Sequence, residues 1–389
     1  ATDSDPALRH PQPVGLSGAE HRDRAGERQG FKQQRQEYIE SLHQAAPGTD
    51  WRAIERENRR VLATQRMAER RALAGQGIDP RQGTVTLNRS GRAVTGTWTE
   101  KGSSNLAGRM HVASVYEDVI YAGSSGGIVW RGAPDGTGWT PLNDWLRMPN
   151  IVAVEILPDG LGGKRLLVFN GGANLIHTSD DDGLTWNTAP GLEGPASWGG
   201  PRRADVLGDL SSDAAQTVFL LAQEWDYTEW HEAVGFYRST DRGTSFQRLE
   251  LMDESPRHAD LWCPPGAEGP SYLIRRKALY SFAAEGTLTQ VANLPVTHTD
   301  DQVLRTQLRG RTGPSGTDLY VAYSLNDGTT TIYRALSGST VFSRAGTVPQ
   351  TAFMDNSFGV STARDGELYF GGVDTYRSTN YGASWTLVN

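Results

Sequence analysis

The sequence predicts an all-β fold built from repeated units, on three observations. An eight-residue pattern, Ser-x-Asp/Asn-x-Gly-x-x-Trp/Phe, occurs three times, at Ser179–Trp186, Ser239–Phe246 and Ser378–Trp385. From about Thr95 onward, short runs of Val, Ile, Thr and aromatic residues alternate with Gly, Asp, Asn and Pro. The 45 glycines and 11 tryptophans among 389 residues suit many short strands joined by tight turns.

The motif explains itself physically. Ser179, Ser239 and Ser378, with Asp181, Asp241 and Asn380, offer side-chain oxygens to the backbone N–H groups of a tight turn. Gly183, Gly243 and Gly382 supply a positive φ. Trp186, Phe246 and Trp385 open the next strand and bury a large ring. In these residues the chain resembles the Asp-box family of β-propellers, also called BNR, sialidase-type or sortilin-like. A degenerate fourth copy, Trp130–Trp139, keeps Gly136 and Trp139 in register. The resemblance implies a β-propeller, and the strand runs and motif spacing divide it into a single propeller of six blades, with seven as the alternative.

Each element follows in order. Residues 1–27, rich in Pro, Gly, Asp and Arg, read as an extended arm. Residues 28–46 read as a helix with a sparse stripe of Phe31, Tyr38, Ile39 and Leu42, broken at Pro47-Gly48. Thr49 or Asp50 caps a second helix that runs to about Leu73 and is ended by Gly75. Its apolar positions are few, so it must lie across the propeller or against another chain. Its seven arginines between Arg52 and Arg71 interleave with Glu55, Glu57 and Glu69, which reads as a solvated, ion-paired face rather than a nucleic-acid surface. The domain boundary falls between an N-terminal segment, 1–93, and a propeller, 94–389. Thr95–Glu100 reads as a leftover strand that closes the ring against the last blade or begins a seventh. Blades follow near 104–143, 150–190, 201–251, 257–294, 301–348 and 352–389. The steps between motif rings are 47 residues from Trp139 to Trp186 and 60 from Trp186 to Phe246; the 139 from Phe246 to Trp385 are three ordinary steps.

Charge divides the chain. Residues 1–93 carry a net charge of +4 and the remainder −11, within a total of −7. No apolar run approaches the roughly 18–20 residues of a membrane span. The single cysteine, Cys263, excludes an intrachain disulfide and reads as a small buried residue. The Ala-Thr-Asp start reads as a mature end left by signal peptidase, so the expected location is exported: bacterial periplasm, cell surface or extracellular space.

Candidate functional residues fall in loops that build one open face, where each inner strand begins and where the second strand turns into the third. They are Asn105, Arg109 and His111; Trp198, Arg202 and Arg203; Trp225, Tyr227, Trp230 and His231; Arg257, His258 and Asp260; His298, Asp300 and Asp301; and Asp355 with Asn356. Trp225, Tyr227 and Trp230 form an aromatic cluster that packs on its own blade, anchors a partner or holds a sugar ring. A carboxylate pair for glycosidic cleavage would draw on Asp300 or Asp301 with Asp355 or Asp260. Asp180, Asp181 and Asp182 are turn formers, with Ca²⁺ as the alternative; no other cofactor is expected.

The sialidase comparison transfers no catalytic residue. Leu106-Ala-Gly-Arg-Met-His111 places Arg109 where that family has its first arginine, but Ile-Pro is missing. Ser103-Ser-Asn-Leu-Ala-Gly-Arg109 with Val119-Ile-Tyr-Ala-Gly123 looks more like the opening blade of secreted sortilin-like or xyloglucanase-like propellers. The large hydrolases of that group need two propellers, and this chain has room for one. The expected function is a secreted, non-catalytic binding or assembly module, acting through the open face and residues 1–93 on a protein partner, itself, a glycan or an extracellular matrix or filament. The alternative is a polysaccharide-active glycoside hydrolase or lyase with its site at the channel mouth.

Overall fold

A computed structural model describes residues 34–35, 51–78, 84–89, 92–97, 109–146, 148, 150–159, 161–171, 175–192, 200–207, 216–226, 229, 231–266, 269–349, 357–372 and 374–388. The arm expected over 1–27, and the helix over 28–46 apart from helical Gln34 and Arg35, lie outside these residues.

The described chain contains a helix, α1 (Trp51–Gly75), a hairpin of β1 (Thr84–Arg89) and β2 (Arg92–Thr97), and six four-stranded antiparallel sheets. Blade one is β3 (Met110–Tyr116), β4 (Val119–Ser124), β5 (Val129–Gly132) and β6 (Thr140–Pro141). Blade two is β7 (Ile151–Pro158), β8 (Lys164–Asn170), β9 (Leu175–Ser179) and β10 (Asn187–Ala189). Blade three is β11 (Gly200–Leu207), β12 (Thr217–Asp226), β13 (His231–Ser239) and β14 (Gln247–Met252). Blade four is β15 (Ala259–Trp262), β16 (Ser271–Arg275), β17 (Ala278–Phe282) and β18 (Thr289–Asn293). Blade five is β19 (Val303–Gly313), β20 (Gly316–Leu325), β21 (Thr330–Ala335) and β22 (Ser343–Val348). Blade six is β23 (Ser357–Val360), β24 (Leu368–Gly371), β25 (Thr375–Ser378) and β26 (Thr386–Leu387). The fold is a six-bladed β-propeller.

The described part of the leftover strand expected at Thr95–Glu100, Thr95–Thr97, pairs with β1 and with none of the six blades. Residues 92–97 pair with β1, from Thr84↔Thr97 to Arg89↔Arg92. β1 and β2 are two residues apart in the sequence, and blade six already holds four described strands of its own.

Sandwiching between neighbouring blades explains the apolar runs. The second strand of a blade is covered on both faces, so Leu166–Phe169 and Val218–Ala222 are continuously buried instead of alternating. Leu167, Phe169 and Ile176 of blade two pack with Ala204, Val218, Leu220 and Tyr237 of blade three. Equivalent clusters join blades three to four, four to five, and five to six.

The three motifs occupy the turns between third and fourth strands, as expected. Ser179 Oγ accepts from Gly183 N (2.8 Å) and donates to Asp181 (2.8 Å), whose carboxylate accepts from Thr185 N (2.8 Å) and Thr185 Oγ1 (2.5 Å). The second copy repeats every bond through Ser239, Asp241 and Ser245. In the third, Asn380 Oδ1 accepts from Ser384 N (2.9 Å), and its Nδ2 donates to Ser384 Oγ (2.8 Å), so the amide reproduces the carboxylate. The residue before each glycine is also left-handed: Asp182, Arg242 and Tyr381 have φ of 56°, 56° and 60°.

Turns between third and fourth strands also join blades, with or without the motif. Arg238 Nη1 on the third strand of blade three donates to Ala284 O (3.3 Å) and Glu285 O (2.9 Å) in blade four. Arg334 Nη1 does the same to Asn380 O (3.3 Å) and Tyr381 O (3.0 Å). On blade one, Arg131 and Tyr121 both hold Asp182 of blade two. Against blades one and two lies the stretch 65–75 of α1. Met67 is buried, Arg70 stacks 4.2 Å over the Trp145 ring, and Arg71 Nη2 donates to Trp186 O (3.0 Å).

Candidate functional site

All six blades line one cavity of about 600 Å³. Its walls come from the beginnings of the inner strands and from Gln223 and Glu232 at the β12–β13 hairpin, so it opens on the face formed by the entry loops. Four of the blades build this rim with the same device. In the pairing of first to second strand, His111, Val152, Arg202 and Leu304 are each an extra residue without a partner. A bulge of this kind breaks the two-residue alternation and turns two successive side chains to one side. All four bulged residues line the cavity, as do the residues that follow three of them, Val112, Arg203 and Arg305.

The lining is cationic. Among the described residues it holds Arg109, Arg202, Arg203, Arg257, Arg305 and Arg309 against two carboxylates, Glu232 and Asp260. Both carboxylates are engaged: Gln223 Nε2 donates to Glu232 (3.2 Å), and Asp260, 5% exposed, accepts from Arg309 Nη1 (2.8 Å), Leu308 N (2.9 Å) and Leu261 N (3.0 Å). Arg202 donates to the Gln223 side chain.

Behind the cavity a polar belt runs from blade to blade. Ser114 Oγ donates to Val154 O (2.6 Å) across blades one and two. Arg203 in blade three reaches Asp205 (3.2 Å) and, in blade four, Asp260 (3.6 Å). Arg309 in blade five links Asp260 to Phe358 O (2.9 Å) in blade six. Burial, with the nearby Asp205 charge, pushes the Glu155 carboxyl up to about 8. Burial raises Asp205 as well, even though Arg203 beside it and the N–H groups of Cys263 (3.1 Å) and Val206 (3.0 Å) oppose the shift. Burial and the neighbouring Arg203 lower Arg309 to about 10, so it stays charged near neutrality. Glu155 and Asp205 are not among the lining residues, whereas Arg203, which reaches Asp205, is.

The other sequence-derived candidates scatter. His258 Nδ1 meets the buried Glu254 at 3.0 Å, and Arg276 holds both Glu254 and Asp300. Asp301 shares a 3₁₀ turn, Asp300–Gln302, with Asp300. His298 stacks 4.5 Å from Tyr323, and burial lowers its pKa. None of these lines the cavity. His231 lies on the β12–β13 hairpin, where the Glu232 backbone carbonyl raises its pKa, and its Nε2 is 3.4 Å from Asp253. Trp225 is a β12 residue; its side chain, together with Asn105, Trp198, Tyr227, Trp230, Asp355 and Asn356, lies outside the described residues. Asp180, Asp181 and Asp182 are held by Arg165, Thr185 and Tyr121 respectively. Among the described residues no three acidic, His or Cys groups are placed to hold a metal. Cys263 is buried, and its thiol is pushed well up by burial.

Sequence reasoning missed Arg305, Thr306, Gln307 and Arg309. Arg305, Gln307 and Arg309 follow the two-residue alternation of a strand, whereas Thr306 lies between them and lines the cavity as well.

No protein-family model matches the chain, and no curated protein matches it. Solved structures do. A structure titled as YCF48 bound to D1 peptide is 14% identical, covering 72% of this chain and 80% of that one, with a TM-score of 0.44. The GH74 enzyme of Niastella koreensis is 14% identical over 72% of this chain and 45% of its own, with a TM-score of 0.46. The six-bladed, fucose-recognising lectin of Aleuria aurantia is 13% identical over 70% and 89%, with a TM-score of 0.42.

Proposed function

We propose that this protein is an exported, non-catalytic binding module that takes its ligand at the mouth of the propeller channel. One observation carries the reading. The cavity offers cationic donors from several blades, while both described carboxylates that line it are already engaged by protein donors. Glycosidic cleavage needs two carboxyl groups about 5–10 Å apart that reach the substrate, one to give a proton and one to attack or activate water. Asp260 accepts three hydrogen bonds, and the raised carboxyls of Glu155 and Asp205 are not among the residues that line the cavity. Residues 1–93 serve in this reading as the segment that joins the propeller to a partner chain or to a second copy.

The test pairs turnover with binding. Purified protein is incubated with a panel of polysaccharides, and released reducing ends and unsaturated products are measured. In parallel, peptide and glycan arrays are probed with wild type and Arg202→Ala. The expectation is retention on an array, reduced in the variant, with no turnover. Cleavage of any polysaccharide that Asp260→Asn abolishes would overturn the reading.

A further inference from the structure

We infer that the ligand of the channel-mouth cavity is a compact group bearing at least two carboxylate or phosphate charges. The inference rests on the binding reading above and adds the chemical class of what is bound.

The first observation is where charge lies. The sequence from residue 94 onward carries a net charge of −11, which by itself repels anions. The cavity reverses this sign, with six arginines against two carboxylates among its described lining. An acidic body with one basic cavity concentrates its field at that cavity and draws anions to it. The second observation is how the arginines arrive. The bulge at Arg202 sets Arg202 and Arg203 side by side on one wall, and the bulge at Leu304 brings Arg305 to another. Cationic groups from separate blades suit an anion with more than one charged group, in addition to the protein partners that Arg202 and Arg203 already hold. The third observation is unused hydrogen-bonding capacity. Thr306 is 3% exposed and its Oγ1 has no hydrogen-bond partner; the His111 Nε2 is buried in the same condition. Both residues line the cavity. A buried hydroxyl left unpaired costs about 1–3 kcal/mol, and a rotation of the Thr306 side chain that brings Oγ1 to a ligand oxygen removes that cost. A volume of about 600 Å³ corresponds to roughly twenty water molecules at about 30 Å³ each, room for a small molecule or a chain end.

The experiment is calorimetric titration of the full-length protein with citrate, pyrophosphate, acetate and a neutral trisaccharide, at 50 and 300 mM NaCl. Citrate or pyrophosphate is expected to bind at least tenfold more tightly than acetate, and to weaken severalfold at the higher salt. Comparing the two anions separates a carboxylate ligand from a phosphate one. Arg257→Gln and Arg202→Gln alter exposed side chains, so their folding is checked simply by an unchanged melting temperature without ligand. Each is expected to weaken the favoured anion by fivefold or more. Thr306→Val is expected to weaken it without changing the salt dependence. Multivalent binding that all three variants leave unchanged overturns the inference, as does equal binding of acetate. If the trisaccharide binds, loses affinity in Arg202→Gln, and both anions do not bind, the inference fails while the binding module stands. If nothing binds here and the arrays are also blank, both fail.

Discussion

Arg309 of blade five and Asp260 of blade four meet at 2.8 Å inside the channel, and each is also tied to something else. Arg309 donates to Phe358 O, and Asp260 accepts from two backbone N–H groups. The pair is a strut between blades. Removing one partner from a buried pair strands the other charge, which costs about 3–5 kcal/mol. Asp260→Ala is expected to lower the unfolding free energy by that order, read from urea melts. Asp260→Asn, which keeps an acceptor for Leu308 N, should lose less.

The carbonyl clamps predict a smaller and repeatable effect. Arg238 and Arg334 each bond two successive carbonyls of the next blade. A hydrogen bond from a charged donor contributes about 1.5–3 kcal/mol when shielded, and less at a partly exposed site. Arg334→Ala is expected to cost about 1–2 kcal/mol and Arg238→Ala a similar amount. The two sites are distant, so the double variant should be additive within about 0.5 kcal/mol. A chemical denaturation series checks this, and strong non-additivity would mean that the clamps do not act blade by blade.

The third motif copy makes its own forecast. Because Asn380 already accepts from Ser384 N as Asp181 does from Thr185 N, Asp181→Asn should cost under about 1 kcal/mol, whereas Asp181→Ala, which leaves the Ser179 hydroxyl as the turn's side-chain acceptor, should cost about 1–3 kcal/mol. Gly183→Ala should be worse than Asp181→Asn. Its φ is +86° and an added Cβ would stand 2.7 Å from Leu142 Cβ. Thermal melts of the three variants rank them.

Glu155 predicts an unusual pH dependence. Its folded pKa, about 8, lies above the unfolded value of 4.5, so the folded state holds the proton more tightly. The stabilisation is complete below pH 4.5 and is lost as pH rises toward 8. Stability from this group should therefore fall between about pH 5 and pH 8. Glu155→Gln keeps the neutral form at every pH, so it should remove that slope and be more stable than wild type at pH 8. Denaturant midpoints at pH 5, 6, 7 and 8 for both proteins provide the check; parallel curves would refute it.

The ring was more legible in the sequence than the site. Three turn motifs at known spacing set the phase of the blades, and blades four and five followed from their strand runs without a motif. Thr95–Glu100 misled because an isolated strand pattern does not name its partner, and Thr84–Arg89 is a nearer one than the last blade. Arg109, His111, Arg202 and Arg203 were picked as loop residues and do line the cavity. Arg305 and Arg309 were passed over because they lie within a long strand. Bulges explain the difference. An extra residue such as Leu304 changes which side chains share a face, yet it has no marker in the sequence, since its cause is the pairing with a second strand. The half-buried pair of Glu155 and Asp205 was invisible for a related reason: only the packing of blade two on blade three brings the two carboxyls together.

The cavity's walls run from Arg109 to Phe358, and no single blade contains enough of them to hold anything. A ligand there behaves as a keystone does in an arch. It can be gripped only by the finished circle, and once in place it resists the withdrawal of any segment. Occupancy at a hundred times the dissociation constant would add about 2.7 kcal/mol to the whole ring, so the bound molecule would report on the integrity of the entire assembly and not on the health of one loop.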